Sequence, residues 1–443
     1  MPNASASPGT RQFGEGWQLV STGRRRGLLS LVRLEIPGNP DTEHNAWVGL
    51  VDGMYYSAMV GLTFPFLAVC AIALGANNFM VGMVTSLPAI VALVSQLPGA
   101  AIAEGDRSLL RVTLRFAMAH RLGYIVLAIV PLLPLPGVTR AWLFIATLAV
   151  INAPSTICGV AWTAMMGQIY PVRLLGTVFG HRSMWCQFAT VAATITGGYI
   201  IDHVRFPYNW SVIFGLSFVL VMASWYYLTK MRVPEREVHP GRRLPSIAEV
   251  RSERRFVTYT IGSLIYHIGV NMPVPVLAIY YVRHLGLSGT WIGIFATVTG
   301  LTTALLSRWW GRTADRTSNR AALLRALAGL SPVTLFYLVA RGPWTVVPIA
   351  ALTGVFVAGF NLLIFNTLLE TAPATRRSGY VAVFNSLMMA TGMAPMLGVA
   401  VYERWGLAAA LAGAAMLRVA GWAWLRMRMA DGEAQGLPAA EHA

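Results

Sequence analysis

The stretch FPFLAV at residues 64–69 returns as VPVLAI at residues 274–279, which places Pro65 and Pro275 210 residues apart. The stretch LGANNFMVG at 74–82 likewise returns as LGLSGTWIG at 285–293. The second pair is 211 residues apart. Self-similarity at a nearly constant, long spacing indicates a duplicated structural unit. The chain is therefore expected to fold as two similar halves.

Composition places both halves in a membrane. Hydrophobic residues make up 56% of the 443 residues and charged residues only 12%, whereas about a quarter of a soluble domain is charged. The net charge of +16 could indicate a nucleic-acid partner. The charges fall in short segments between apolar runs, however, so we predict anionic lipid headgroups as partners and no nucleic acid.

Twelve runs are long enough to cross the hydrocarbon layer, which needs about 20 apolar residues. Backbone groups in lipid must be satisfied within the segment, so the predicted class is all-α, with six membrane helices in each half. The predicted spans are residues 47–73, 79–103, 113–134, 141–167, 180–201, 209–230, 256–282, 290–310, 321–340, 344–369, 380–402 and 406–427.

Arginine distribution gives the predicted orientation. Basic residues concentrate in alternate loops and in the central segment, which predicts that both termini and the central segment are cytoplasmic. The predicted location is the inner (cytoplasmic) membrane. The predicted regions are an N-terminal segment 1–46, a bundle 47–230, a central loop 231–255, a second bundle 256–428 and a tail 429–443. Residues 17–34 fit an interfacial amphipathic helix or a basic tail equally well.

One loop carries a recognisable charged motif. GRTADR at 311–316, with Arg320 and Leu323 after it, resembles the loop signature G-x-x-A-D-R-x-G-R-R-x-x-L of the major facilitator superfamily. Ser318 and Asn319 stand where that signature has its second glycine and first arginine. The resemblance covers residues 45–428 and implies twelve transmembrane helices in two pseudosymmetric six-helix halves.

The same resemblance implies a latch that favours one side of a transport cycle. Asp315 is expected to pair with Arg376 or Arg377, and Glu370 with Arg316 or Arg320. The repeat places Glu104 opposite Asp315 in the first half. A loop acid beside arginines and a helix terminus can hold two helices together. The alternative is ordinary exposed loop charge, which contributes little.

Ionisable residues at membrane depth are functional candidates. His267 lies roughly 16 Å into its predicted span, just before two prolines, Pro273 and Pro275, that are expected to kink the helix. Because irregular backbone at this depth must line a cavity or protein, His267, Asn271 and Tyr266 are predicted on the pathway. A neutral histidine bonded to a neighbouring helix is the equal alternative.

The first half offers a second candidate pair. Asp52 is either a helix-end acid that reaches cytoplasmic water or a functional residue, as a proton-coupling carboxylate or as a partner for Arg121. Arg121 and His267 are the other proton-coupling candidates. Arg121 is too deep for easy snorkelling, so it needs a partner. Arg182 is expected to mark the interface, with an anion contact as the minor alternative.

Further predicted pathway residues are polar or aromatic side chains within the spans, although polar amides also serve simply as contacts between helices. They are Tyr56, Asn152, Trp162, Asn361 and Asn366.

These features predict a secondary active transporter that moves a small organic solute by alternating access. The first reading is a proton-coupled exporter of amphiphilic or drug-like compounds. The alternatives are a proton-coupled or facilitative importer of a small polar metabolite and a non-transporting membrane sensor. No nucleophile–base constellation, metal cluster or Walker motif is present in the sequence, so no enzyme, metal or cofactor is predicted. A monomer is expected.

Overall fold

The computed structural model describes residues 40–170, 172–237, 247–373 and 377–434, and the segment at 17–34 lies outside these ranges. Within them the long elements are helices. They are α1 Pro40–Ala73, α2 Asn78–Gly105, α3 Leu109–Leu132, α4 Gly137–Ile169, α5 Val172–His203, α6 Tyr208–Leu228, α7 Arg254–His284, α8 Gly289–Arg316, α9 Asn319–Val339, α10 Pro343–Thr371, α11 377–405 and α12 407–434.

The described residues contain eleven continuous stretches long and apolar enough to cross a membrane. One of them, Gly379–Arg428, has 50 residues and would be about 75 Å long, more than twice the thickness of the hydrocarbon layer. Gly406 interrupts it with non-helical angles, φ 81° and ψ −178°. The stretch is therefore two crossings, α11 and α12, and the prediction of twelve spans is confirmed.

Repeated residues produce the same local structure in both halves. Gly75 after α1 and Gly286 after α7 both have positive φ, 102° and 57°, a conformation that glycine adopts without steric cost. The paired prolines also act alike. Pro65 sits in a 3₁₀ turn, Phe64–Phe66, that interrupts α1, and α7 breaks where its first helical part, Arg254–Asn271, ends. The predicted kink near His267 is confirmed.

The two halves meet along α5 with α8 and along α2 with α11. Small residues permit this approach. A Cβ atom added to Gly198 would lie 2.8 Å from the Gly289 carbonyl oxygen, and one added to Gly293 would lie 3.0 Å from the Thr194 carbonyl oxygen. Close backbone contact of this kind is typical of packing between membrane helices.

Hydrogen bonds join the halves at one face of the molecule. Asp202 at the end of α5 accepts the backbone N–H groups of Gly289 and Thr290 at 2.7 and 2.8 Å. Arg283 at the end of α7 donates to the Asn78 side chain and the Ala76 carbonyl, both at 2.6 Å. We call this the closed face. The face that carries residues 231–237 is called the central-segment face.

The central segment packs on the first half. Asn45 and Arg232 exchange two hydrogen bonds of 2.8 Å, and Arg232 also pairs with Asp41 at 2.6 Å. Arg236 donates to the Ala103 carbonyl near the end of α2, where a cation complements the helix dipole. Residues 40–46, which were predicted to precede the first span, are helical and are held by these polar contacts with the central segment.

The Asp202 contact should control the closed face. In an Asp202→Ala variant, two hydrogen bonds are lost, and at about 1 kcal/mol each the equilibrium should move roughly tenfold or more toward opening there. Native Cys158, which lines a cavity on the central-segment side, reports the change in a Cys70→Ala, Cys186→Ala background. Its labelling by an impermeant maleimide from the central-segment face should fall. Glu403→Gln, which changes another exposed acid, is the control and should leave the labelling of Cys158 unchanged. Equal labelling in Asp202→Ala and in this control would refute the role of Asp202.

Candidate functional site

A chain of hydrogen bonds links three helices inside the first half. Ser224 on α6 donates to Asp52 Oδ1 on α1 at 2.7 Å, and Arg121 Nη2 on α3 donates to Ser224 Oγ at 2.8 Å. Arg121 Nε also donates to the Val221 carbonyl at 2.6 Å. Asp52 is 5% exposed and Arg121 4%. Asp52 and Arg121 are thus linked through the Ser224 hydroxyl, and they form no direct ion pair within the described residues.

Helix direction explains why these residues meet. Asp52 and Arg121 lie on α1 and α3, which both run from the central-segment face toward the closed face. Alternate spans run in the same direction across a membrane, so residues of both helices can reach one level. Ser224 completes the level from α6, which runs in the opposite direction and ends four residues later, at Leu228.

A second arginine lies beside this chain. Arg182 on α5 donates from Nε to the Gly49 carbonyl at 3.0 Å, and its guanidinium carbon lies 5.0 Å from the ring centre of Trp162 on α4. A Cβ atom at Gly53 would be only 2.6 Å from Arg182 Nε and Nη2. Because Gly53 has no side chain, the Arg182 guanidinium can lie against α1, within electrostatic range of Asp52.

These side chains line a cavity of about 390 Å³, which we call the polar cavity. Tyr56, His120 and Ser155 line both it and an apolar cavity of about 630 Å³ deeper in the molecule. The apolar cavity is bounded by residues such as Leu127, Leu148 and Phe214. The two spaces are therefore neighbours that share one wall.

A third cavity, of about 1480 Å³, lies between α5 and α8. It shares Pro65, Tyr281 and Ile292 with the apolar cavity and reaches Arg308 near the other end of α8. From Ile292 to Arg308 a helix rises about 24 Å. The third cavity therefore extends from the closed face toward the central-segment face, along the contact between the halves.

The predicted residues of α7 lie in the second half, away from the polar cavity. His267 Nδ1 is 2.7 Å from the Ser263 carbonyl oxygen, and its ring packs on Phe360. Asn271 donates to Thr391 Oγ1 on α11 at 2.9 Å. Tyr266 is fully buried and donates to the Leu327 carbonyl on α9 at 2.9 Å.

The remaining predicted pathway residues divide between the cavities and the central-segment face. Tyr56 and Trp162 line the polar cavity, Asn152 the apolar one and Asn361 the cavity between α5 and α8. Asn366 instead donates to Asn319 at 3.2 Å, near the start of α9.

Among the described residues, none of the predicted latch pairs forms. Asp315 is exposed and forms no ion pair within the described residues. Glu370 accepts a hydrogen bond from Asn319 at 2.6 Å, and Arg320 Nη2 lies 3.5 Å from the Arg426 carbonyl oxygen. Three further members of the predicted latch, Arg316, Arg377 and Glu104, are exposed, and Arg376 lies outside the described ranges.

Sequence reasoning missed two parts of the site. Nothing in the run of α6 distinguishes Ser224 from Ser217 seven residues earlier, since both are isolated serines in an apolar helix. The sequence predicts Arg182 at the membrane interface because the fifth span is predicted to begin at residue 180. In the structure α5 begins eight residues earlier, at Val172, so Arg182 lies within the helix. Within the described residues, no group of three or more His, Cys, Asp or Glu could hold a metal ion.

Comparison with known proteins agrees with this architecture. The family model "Major Facilitator Superfamily" matches residues 259–441. The match covers the second half of the chain. Among solved structures, the D-xylose-proton symporter superposes with a TM-score of 0.69 over 87% of this chain and 96% of its own, at 12% identity. The human organic anion transporter MFSD10 (TETRAN) gives 0.62 over 87% and 100%, at 14% identity. At such identities the likeness shows the fold alone.

Curated relatives match over a shorter region. "Multidrug resistance protein MdtG" of Salmonella choleraesuis (strain SC-B67) is 28% identical over 170 residues, which are 37% of this chain and 41% of the relative. The protein of the same description from Klebsiella pneumoniae (strain 342) is 29% identical over 154 residues, 33% and 37% of the two chains. The match spans only about two fifths of these relatives.

The serine bridge generates a stability prediction. A Ser224→Ala variant leaves Asp52 and Arg121 without their shared partner, a loss of about 1 to 3 kcal/mol for buried groups, and should lower the apparent melting temperature of the purified protein. Ser217→Ala is the matched control, because Ser217 Oγ is buried on the same helix with no hydrogen-bond partner in the described residues. Equal melting temperatures for the two variants would contradict the bridge.

Proposed function

We propose that the protein is a secondary transporter that moves amphiphilic organic compounds out of the cell by alternating access. The observation that carries this proposal is a set of buried charged residues lining a cavity inside a membrane-spanning fold of two halves. Charged groups are costly at this depth and are retained where they serve a pathway. The polar cavity adjoins the apolar cavity, which in turn shares residues with the cavity between α5 and α8, where the two halves meet. A space between similar halves that can open to either face is what alternating access requires.

The outward direction and the solute class rest on two supports. The partial matches are to proteins described as multidrug resistance proteins. The walls of the larger cavities are mainly apolar, as expected for a site that accepts drug-like molecules. We place the chain in the inner membrane as a monomer, with the central-segment face toward the cytoplasm.

The latch belongs to the same proposal. In the structure the halves are joined at the closed face, so the central-segment face is the open one. In this state Asp315 forms no ion pair within the described residues, and Glu370 is bonded to Asn319, the neighbour of Arg320, rather than to an arginine. We propose that these pairs form when the central-segment face closes.

Asp52 is the proposed site of a coupling proton. It is the one acid among the residues that line the polar cavity, and Ser224 connects it to Arg121. Protonation would remove its charge and weaken its hold on Ser224, which frees Arg121 to take another partner. A proton shifts the transport cycle only if the two open states bind it with different affinity, and a contact shared by α1, α3 and α6 is suited to such a difference.

Transport in proteoliposomes tests the proposal with the neutral amphiphile N-phenyl-1-naphthylamine and its anionic analogue 8-anilinonaphthalene-1-sulfonate. In the intact protein an imposed pH gradient should change the rate of movement of at least one probe. Asp52→Asn should abolish that response, while Glu403→Gln, which neutralises an exposed acid on the closed face, should keep it. No protein-dependent movement of either probe would refute export of amphiphiles. An unaltered response in Asp52→Asn would refute its proton role.

A further inference from the structure

The residues lining the polar cavity carry more positive than negative charge. Two of them are arginines, Arg121 and Arg182, and Asp52 is the one carboxylate. With Asp52 ionised, one positive charge therefore remains without a counter-charge in the cavity wall. Arg121 is buried and Arg182 half-buried. An uncompensated cation at such a position within a membrane-spanning fold is unfavourable, and a bound anion would relieve that cost.

The same arginines have hydrogen-bond donors to spare. Arg121 uses Nε and Nη2 on Val221 and Ser224, whereas Nη1 has no partner among the described residues. Arg182 uses Nε on Gly49 and rests on the Trp162 ring, and within the described ranges its Nη1 and Nη2 atoms donate to no acceptor. Guanidinium forks of this kind match the oxygen pairs of carboxylates and sulfonates.

The neighbouring space sets the rest of the ligand. The apolar cavity of about 630 Å³ shares Tyr56, His120 and Ser155 with the polar cavity. A molecule with its charged end at the arginines would therefore place its body among Leu127, Leu148 and other apolar side chains. The position of Trp162 under Arg182 further favours an aromatic or otherwise flat group close to the charge.

We propose that the polar cavity binds the acidic group of an amphiphilic organic anion, held by Arg121 and Arg182, with the hydrophobic body in the apolar cavity. This inference names the solute class of the transporter proposed above. That the anion is transported rests on the proposed function, whereas binding of the anion does not. An inside-negative membrane potential itself drives anions outward, so this solute class is consistent with export.

Binding to the purified full-length protein tests the inference. The probes are 8-anilinonaphthalene-1-sulfonate and N-phenyl-1-naphthylamine, which differ by the sulfonate, together with 2-naphthoate and its neutral amide. Each sulfonate or carboxylate should bind at least tenfold more tightly than its neutral partner. Affinity is measured by the concentration dependence of the melting temperature, since a ligand of the folded state raises it by mass action.

Two variants locate the effect. Arg182→Gln removes the charge, and Gly53→Ala keeps the charge but displaces the guanidinium, because the added Cβ would lie 2.6 Å from Nε and Nη2. The second variant guards against misfolding of the first. Both should weaken binding of the anions about tenfold and leave the neutral probes unaffected. Arg404→Gln, at an exposed arginine on the closed face, is the matched control and should bind as the intact protein does.

Several outcomes would overturn the inference. The first is no preference for the anions over their neutral partners, which includes no binding of any probe. The second is an equal loss of anion affinity in Arg404→Gln. The third is saturation of the site by dioleoylphosphatidylglycerol alone, which would assign the site to a lipid headgroup. Failure of the transport proposal looks different. Arginine-dependent binding of the anion without movement in proteoliposomes would leave the binding site standing and remove the transporter function.

Discussion

Charge buried in a membrane protein needs a partner, and Arg121 shows how this requirement organises the first half. Its guanidinium is 4% exposed and is held by the Val221 carbonyl and by Ser224, which in turn holds Asp52. Removing any one of these partners leaves an unsatisfied buried group. The contact therefore fixes α1, α3 and α6 relative to one another and at the same time places charge against an internal cavity.

In the second half, a buried arginine is also held between helices, but by backbone carbonyl groups and without an acid. Arg418 on α12 donates from Nε to the Gly269 carbonyl on α7 at 3.0 Å and from Nη1 to the Leu330 carbonyl on α9 at 3.1 Å. By the repeat, α7, α9 and α12 correspond to α1, α3 and α6, so an arginine joins the equivalent helices in each half. Carbonyl oxygens do not titrate, whereas Asp52 can. The duplicated architecture thus contains one fixed contact and one that can respond to a proton or an anion.

Fold and site differ in how far the sequence determines them. Twelve spans follow from hydrophobic length, and the Leu-Gly pairs at 74–75 and 285–286 mark helix ends in both halves because positive φ favours glycine. Single-residue depth along a helix was enough to suggest that Asp52 and Arg121 interact. It could not reveal Ser224, whose role depends on the rotation of α6, or Arg182, whose place depends on the missing side chain at Gly53. His267, the strongest candidate by sequence, lies instead against Phe360 in the second half.

The central claim is that Asp52 and Arg121 act as one coupled unit through Ser224. A double-mutant cycle on the purified protein, with Asp52→Asn, Arg121→Gln and the combined variant, measures this coupling directly from the loss of stability. The combined variant should lose less than the sum of the two single losses, by about 1 kcal/mol or more, because each single change strands the other residue. Strictly additive losses would show that the two residues are independent and would contradict the account.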